Sequence, residues 1–151
     1  MYKQGDRTDL APPLTKIMMC PGAVLLERVE IVAPIPLHWT RLISRRYNLA
    51  GLLSNRLAKI GRTRSIPDLL VRTKRTGSQG GKSSAGRRRN VIGAFALQQR
   101  HKEMLIGKRM LLVDDVLTTG ATIETTAQAL IKSGSSAVDV LTIARVVTSD
   151  L

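Results

Sequence analysis

Two adjacent carboxylates, Asp114 and Asp115, stand where an apolar run gives way to small residues in "LLVDDVLTTGATIETTAQAL" (111–130). Leu111 to Val113 read as the end of a buried strand. From Gly120 onward the spacing of apolar residues becomes helical. The amides between strand and helix have no helical acceptor, and the helix dipole makes that end positive. Such a junction cradles a phosphate. Thr118, Thr119 and Thr122 add hydroxyl donors, and Gly120 lets the backbone approach closely. The two acids would repel that phosphate. They suit neutral hydroxyls, or a divalent cation, a short distance away. A ribose 5-phosphate satisfies both halves: its phosphate in the loop, its 2- and 3-hydroxyls on the carboxylates.

The elements that would hold this junction follow from the rest of the chain. Residues 7–20 predict a helix broken at its start by Pro12 and Pro13. The short apolar run "VEIVAPI" (29–35) predicts a buried strand bounded by proline. In "SRRYNLAGLLSNRLAKIG" (44–61) apolar residues at 49, 52, 53, 57 and 60 predict a helix ended by Gly61. Strands are expected at 66–72, 91–97, 107–115 and 137–147, and a helix at 120–134. Residues 73–90, "TKRTGSQGGKSSAGRRRN", lack apolar periodicity and predict a mobile loop. Continuous apolar strands alternating with helices give an α/β fold: one domain, 1–151, with a parallel sheet and helices on both faces. Ligands bind such sheets beyond the carboxyl ends of the strands, where the aspartates and the Pro-Ile-Pro segment fall.

Composition narrows the class further. The chain has 151 residues, 43% of them hydrophobic, enough for an ordinary core. No apolar run is long enough to span a membrane, and the first residues show no basic-then-apolar leader, so a cytoplasmic protein is expected. A single cysteine, Cys20, excludes an internal disulfide and a multi-cysteine zinc site, and predicts a buried structural thiol. His38 and His101 are isolated, with no ligand-like spacing, and His101 is expected at the surface. The net charge is +13, and between Ile31 and Lys102 the only acid is Asp68. A field of that sign attracts phosphates, nucleotides or nucleic acid.

The stretch "LLVDDVLTTGAT" resembles the phosphoribosyl pyrophosphate motif of the type I phosphoribosyltransferases: a hydrophobic strand, two acids and a Thr/Gly phosphate loop. Together with "APIPLHWTRLISRRYN", Thr76 and Gln79, "RRRNVIGAF" and "VLTIAR", in that order, it resembles the ComF family. That family is phosphoribosyltransferase-like and is linked to DNA uptake in competent bacteria. Leu49 departs from the family's Tyr-Asn-Gln, and Lys82 stands where Leu is expected. The cysteine-rich zinc module of longer members is not in this sequence.

The resemblance implies a type I phosphoribosyltransferase-like fold that binds phosphoribosyl pyrophosphate with Mg²⁺. It gives Asp114 and Asp115 the catalytic and metal-holding role, through ordered water, on the ribose hydroxyls. Leu117, Thr118, Thr119, Gly120, Ala121 and Thr122 would form the 5-phosphate loop. Pro36, Leu37 and His38 occupy the position of the pyrophosphate loop, with Arg41 and Arg46 adding charge. Segment 73–89 corresponds to the flexible loop that closes the site, with Arg72 at its start. Displacing pyrophosphate from C1 leaves an oxocarbenium-like centre; cations neutralise the leaving group and a closed loop excludes water.

"TGSQGGKSS" (76–84) approaches a P-loop, with Thr76 where the first Gly belongs, but has no apolar strand before it and a poor helix after it. A purely structural aspartate pair would bury adjacent charges at high cost. Two functions therefore stand: phosphoribosyl transfer to an unidentified acceptor, and a catalytically silent ribose-phosphate-binding module in DNA uptake. Expected partners are the sugar diphosphate, DNA held weakly by charge or a DNA-uptake protein, and a second copy of the chain as a homodimer. With only four aromatics in the chain, DNA affinity would be electrostatic.

Overall fold

The structure, a computed structural model, describes residues 7–36, 47–72, 95–117 and 120–145. A 3-10 turn, Arg7–Leu10, leads into helix α1, Ala11–Leu26. Pro12 and Pro13 open this helix rather than break it, because first-turn amides have no acceptor to lose. The helix then runs through Pro21, six residues beyond the expected end at Cys20. Thr15, Met18, Gly22 and Leu26 take the inward face at helical spacing. Cys20 is thereby turned outward and is exposed, which corrects the expected buried thiol. Ile17 and Val24 share the outer side.

Strand β1, Ile31–Pro34, is buried at every position. Helix α2, Leu49–Gly61, starts at Asn48, whose side chain accepts the Gly51 amide at 3.1 Å. Leu53, Leu57 and Ala58 are buried, whereas Ile60, expected on the apolar face, is exposed. The single strand expected at 66–72 is two: β2, Arg64–Ser65, and β3, Leu70–Arg72. A turn at Pro67–Leu69 separates them. Here Asp68 holds Arg100 and, at 3.1 Å, Nε2 of His101, which is partly buried rather than a surface residue. Strand β4, Phe95–Leu97, pairs antiparallel with β3. A 3-10 helix over Gln99–Leu105, not expected from the sequence, carries the chain to β5, Arg109–Leu117. Helix α3, Ala121–Lys132, and β6, Ala137–Arg145, complete the order. The mobile loop predicted at 73–90 lies outside the described residues, as does 91–94 of the expected strand.

The main sheet has the order β2-β1-β5-β6, and every pairing in it is parallel. This bears out the predicted fold class. One core layer joins Met18, Leu26, Val32, Leu53, Leu57, Leu111, Val113 and Leu141, so α1 and α2 cover that face. The other joins Ile31, Ala33, Leu70, Leu105, Met110, Leu112 and Leu130, on the side of α3 and the β3–β4 pair. Consecutive residues of β1 and β5 thus feed opposite layers, as the pleat requires. Among the described residues no helix is long and apolar enough to cross a membrane.

Candidate functional site

Strand β5 lies inside the sheet, between β1 and β6. Its pairing with β1 ends where Pro34 faces Val113, and the Ile35 amide donates to the Val113 carbonyl at 2.9 Å. Asp114 and Asp115 follow at once. The sheet thus brings the aspartates and the Ile35–Pro36 exit of β1 to one rim, as the sequence predicted. On the other side β6 accompanies β5 further: Thr142 pairs with Asp114, Ala144 with Val116, and Arg145 with Leu117.

The pleat divides the two acids. Met110 and Leu112 belong to the layer on the α3 side, and Leu111 and Val113 to the layer under α1 and α2. Alternation therefore sends Asp114 toward the α3 side and Asp115 toward the opposite face. Asp115 is buried and Asp114 half-buried. The Asp115 amide donates to Asp114 Oδ1 at 2.8 Å, and the Val116 amide donates to Asp115 Oδ1 at 2.9 Å. These local bonds fix each carboxylate against the strand.

Past Leu117 the described chain resumes at Gly120, which stands at the N-cap of α3 with φ +74. Only glycine adopts this left-handed conformation without strain. The Gly120 N-cap has no side chain to cap the helix, and a bond runs from the Glu124 amide to the Gly120 carbonyl at 2.9 Å. First-turn amides have no carbonyl within the helix to bond. Ala121 is buried beneath this turn and Thr122 is partly buried. The end of the helix therefore presents dipole and amides toward the rim that carries the aspartates.

Of the sequence-predicted residues, Asp114, Asp115, Leu117, Gly120, Ala121, Thr122 and Pro36 gather around the end of β5. Arg72 closes β3 with its guanidinium 5.3 Å from the centre of the Phe95 ring, a cation–π geometry. Leu37, His38, Arg41, Arg46, Thr118 and Thr119 lie outside the described residues. Sequence reasoning missed Arg145. It is exposed beside Leu117 at the same rim and makes no ion pair among the described residues. Only strand register, which the sequence does not announce, places it there.

The donor set suits a hard divalent cation. Mg²⁺ is usually held by one or two carboxylates, with water and ligand phosphates completing its shell. Two carboxylates meet that need, and no cluster of three or more His, Cys, Asp or Glu that could hold a metal occurs among the described residues.

Comparison with known proteins agrees with this geometry. The phosphoribosyl transferase domain family matches residues 47–149. Competence protein F of Haemophilus influenzae is 36% identical over 120 residues, covering 80% of this chain and 52% of that protein. DNA utilization protein YhgH of Escherichia coli K12 is 28% identical over 148 residues, covering 95% of this chain and 63% of that one. The chain thus spans between half and two thirds of the length of these relatives. Among solved structures, orotate phosphoribosyltransferase from Aeropyrum pernix superposes with TM-score 0.52 at 16% identity, over 94% of this chain and 74% of that one. Purine phosphoribosyltransferase from Pyrococcus horikoshii gives 0.53 at 15% identity, over 87% and 81%. These likenesses establish the fold. With its parallel sheet, its paired acids at the end of β5 and a match spanning most of its length, the chain belongs to the phosphoribosyl transferase domain family, as a ComF-type, phosphoribosyltransferase-like member.

Proposed function

We propose that the chain acts as a single cytoplasmic domain that binds phosphoribosyl pyrophosphate with Mg²⁺ and transfers its phosphoribosyl group to an acceptor. One observation carries this reading: two carboxylates stand near the carboxyl end of the inner strand β5, and a helix with glycine at its N-cap begins six residues after Asp115. The α3 amides, with Leu117 to Thr122, grip the 5-phosphate. Asp114 and Asp115 accept hydrogen bonds from the ribose 2- and 3-hydroxyls, one from each side of the sheet rim. Arg145 adds positive charge at that rim. Pro36 to His38, with Arg41 and Arg46, face the pyrophosphate. Arg72 stands at the base of the segment that covers it.

The cation, held by Asp114 and Asp115 through water, would offset charge on the departing pyrophosphate. The protein's own contribution is positioning, and exclusion of water from the electron-poor C1. No protein nucleophile is required.

A second reading is favoured by the names of two relatives, competence protein F and DNA utilization protein YhgH. In it the same pocket binds the sugar phosphate without turnover and serves DNA uptake. Calorimetry with phosphoribosyl pyrophosphate and Mg²⁺, alongside a pyrophosphate-release assay over a panel of bases and amines, separates the two. Binding with release supports transfer, and binding without release supports the silent module. No detectable binding by folded protein defeats both.

A further inference from the structure

A second charged surface lies away from this rim, along α2 and the edge strand β2. Arg56 and Lys59 stand one turn apart on the solvent side of α2. Arg62 follows at the helix end and Arg64 opens β2, both exposed. From Arg56 to Arg62 the helical rise spans about 9 Å. None of the four makes an ion pair among the described residues. In contrast, Arg28, Arg100, Lys108 and Arg109 are all held by carboxylates. Glu30, whose carbonyl accepts the Arg64 amide, has its own carboxylate engaged by Lys108 at 2.7 Å. Glu27, exposed beside Gly61, borders the patch. Ser65 Oγ donates to Asn55 Oδ1, which ties the strand to the helix and makes one surface of the two elements.

Arg62 adds an independent observation. Its φ is +53, and among the described residues it is the only non-glycine with a positive value. Glycine ordinarily fills this left-handed position after a helix, and another residue there is strained. Gly61, one residue earlier, is held by packing, since a Cβ there would come within 3.1 Å of Leu26 Cβ. The chain thus places an exposed arginine where glycine would relieve strain, in sequence between Lys59 and Arg64.

We infer that Arg56, Lys59, Arg62 and Arg64 form a docking surface for the sugar-phosphate backbone of a nucleic-acid duplex, distinct from the proposed sugar-phosphate site. A duplex carries one charge per roughly 1.7 Å of axis, a denser line of anions than a single strand. The aromatic side chains among the described residues, Tyr47 and Phe95, are partly or fully buried, so this surface offers no platform for stacking unpaired bases. Binding here is sequence-independent and electrostatic.

The test is fluorescence anisotropy with a short mixed-sequence duplex across a salt series. It compares the native chain with Arg56→Gln/Lys59→Gln/Arg64→Gln and with a charge-matched control, Lys16→Gln/Lys102→Gln/Lys132→Gln. The first triple is expected to bind at least about tenfold more weakly and to reduce the log–log salt slope by about 2 to 3, from roughly 0.9 per phosphate. The control is expected to change either quantity far less. Arg62→Gly should weaken duplex binding while raising Tm, which rules out misfolding as the cause. Affinity for phosphoribosyl pyrophosphate should be unchanged in all of them. Equal losses in the two triples would reduce the effect to net charge and overturn the proposal. So would absent duplex binding, or tighter binding to single strands or anionic vesicles than to the duplex.

Discussion

The two ends of the parallel sheet treat their carboxylates in opposite ways. At the amino end, Asp139 of β6 accepts a two-pronged contact from Arg109, Nε at 2.8 Å and a terminal nitrogen at 3.2 Å, and a further bond from Arg28 at 3.2 Å. Glu30 accepts Lys108 and the Arg109 amide. Hydrogen bonds from Arg109, then its charge and that of Arg28, hold Asp139 below the usual carboxylate range against the opposing effect of burial. At the carboxyl end, Asp114 and Asp115 accept neighbouring backbone amides, and Arg145, level with Leu117 further along the same rim, makes no ion pair among the described residues. One end is closed on itself by fork-like charge pairing. The other keeps acids and a cation at a rim, an arrangement suited to a ligand that brings its own hydroxyls and phosphates.

The strongest way to break this comparison is Asp114→Asn with Asp115→Asn. Affinity for phosphoribosyl pyrophosphate, measured by calorimetry, should fall by about 100-fold, the equivalent of two lost charge-assisted hydrogen bonds. Thermal stability should hold or rise, because a buried charge is removed. Unchanged affinity would remove the ribose role from this pair.

Asp139→Asn should do the reverse. Ligand affinity stays, and stability in urea drops by about 1 kcal/mol, discounted because Arg28 and Arg109 remain accessible to water. The folded-state pKa of Asp139 is depressed, so its contribution is present above the unfolded value near 3.9 and is lost as pH falls through the lower folded value. The gap between native and variant stability should therefore close as pH drops from about 5 toward 2. A constant gap would show that the pair acts through packing rather than charge.

An effect no larger is expected at the junction between strand and helix. Among the described residues a Cβ at Gly120 would meet only Leu117 Cδ1, at 3.8 Å, so Gly120→Ala is strained by its φ. Unfolding measurements should show a loss of about 1 kcal/mol. A larger loss would mean that the loop packs more tightly than the Gly120 environment shows.

Much of this was legible in sequence because the signals were strong and local. The apolar runs of β1 and of β5 from Met110 to Val113 are continuous, β6 up to Ala144 is apolar but for Asp139 and Thr142, and the double aspartate with its Thr/Gly loop is a dense motif. Non-local features were not legible. The run at 66–72 looked like one strand because Leu69 to Val71 are apolar, but the Asp68 contacts with Arg100 and His101 help hold the turn that splits it. Cys20 reads as buried because a free thiol usually is, but packing alone decides which residues of α1 face out. Arg145 carries no signature until register sets it beside Leu117.

The position of β5 has a dynamic consequence. With a hydrogen-bonded neighbour on each side, its backbone should exchange with deuterium among the slowest of the molecule, while the two-residue border strand β2 should open readily. Asp114 and Asp115 follow directly on the stretch bonded from both sides and stay paired with β6 alone, so the acids are anchored to the slowest-opening part of the sheet while their own stretch opens on the β1 side.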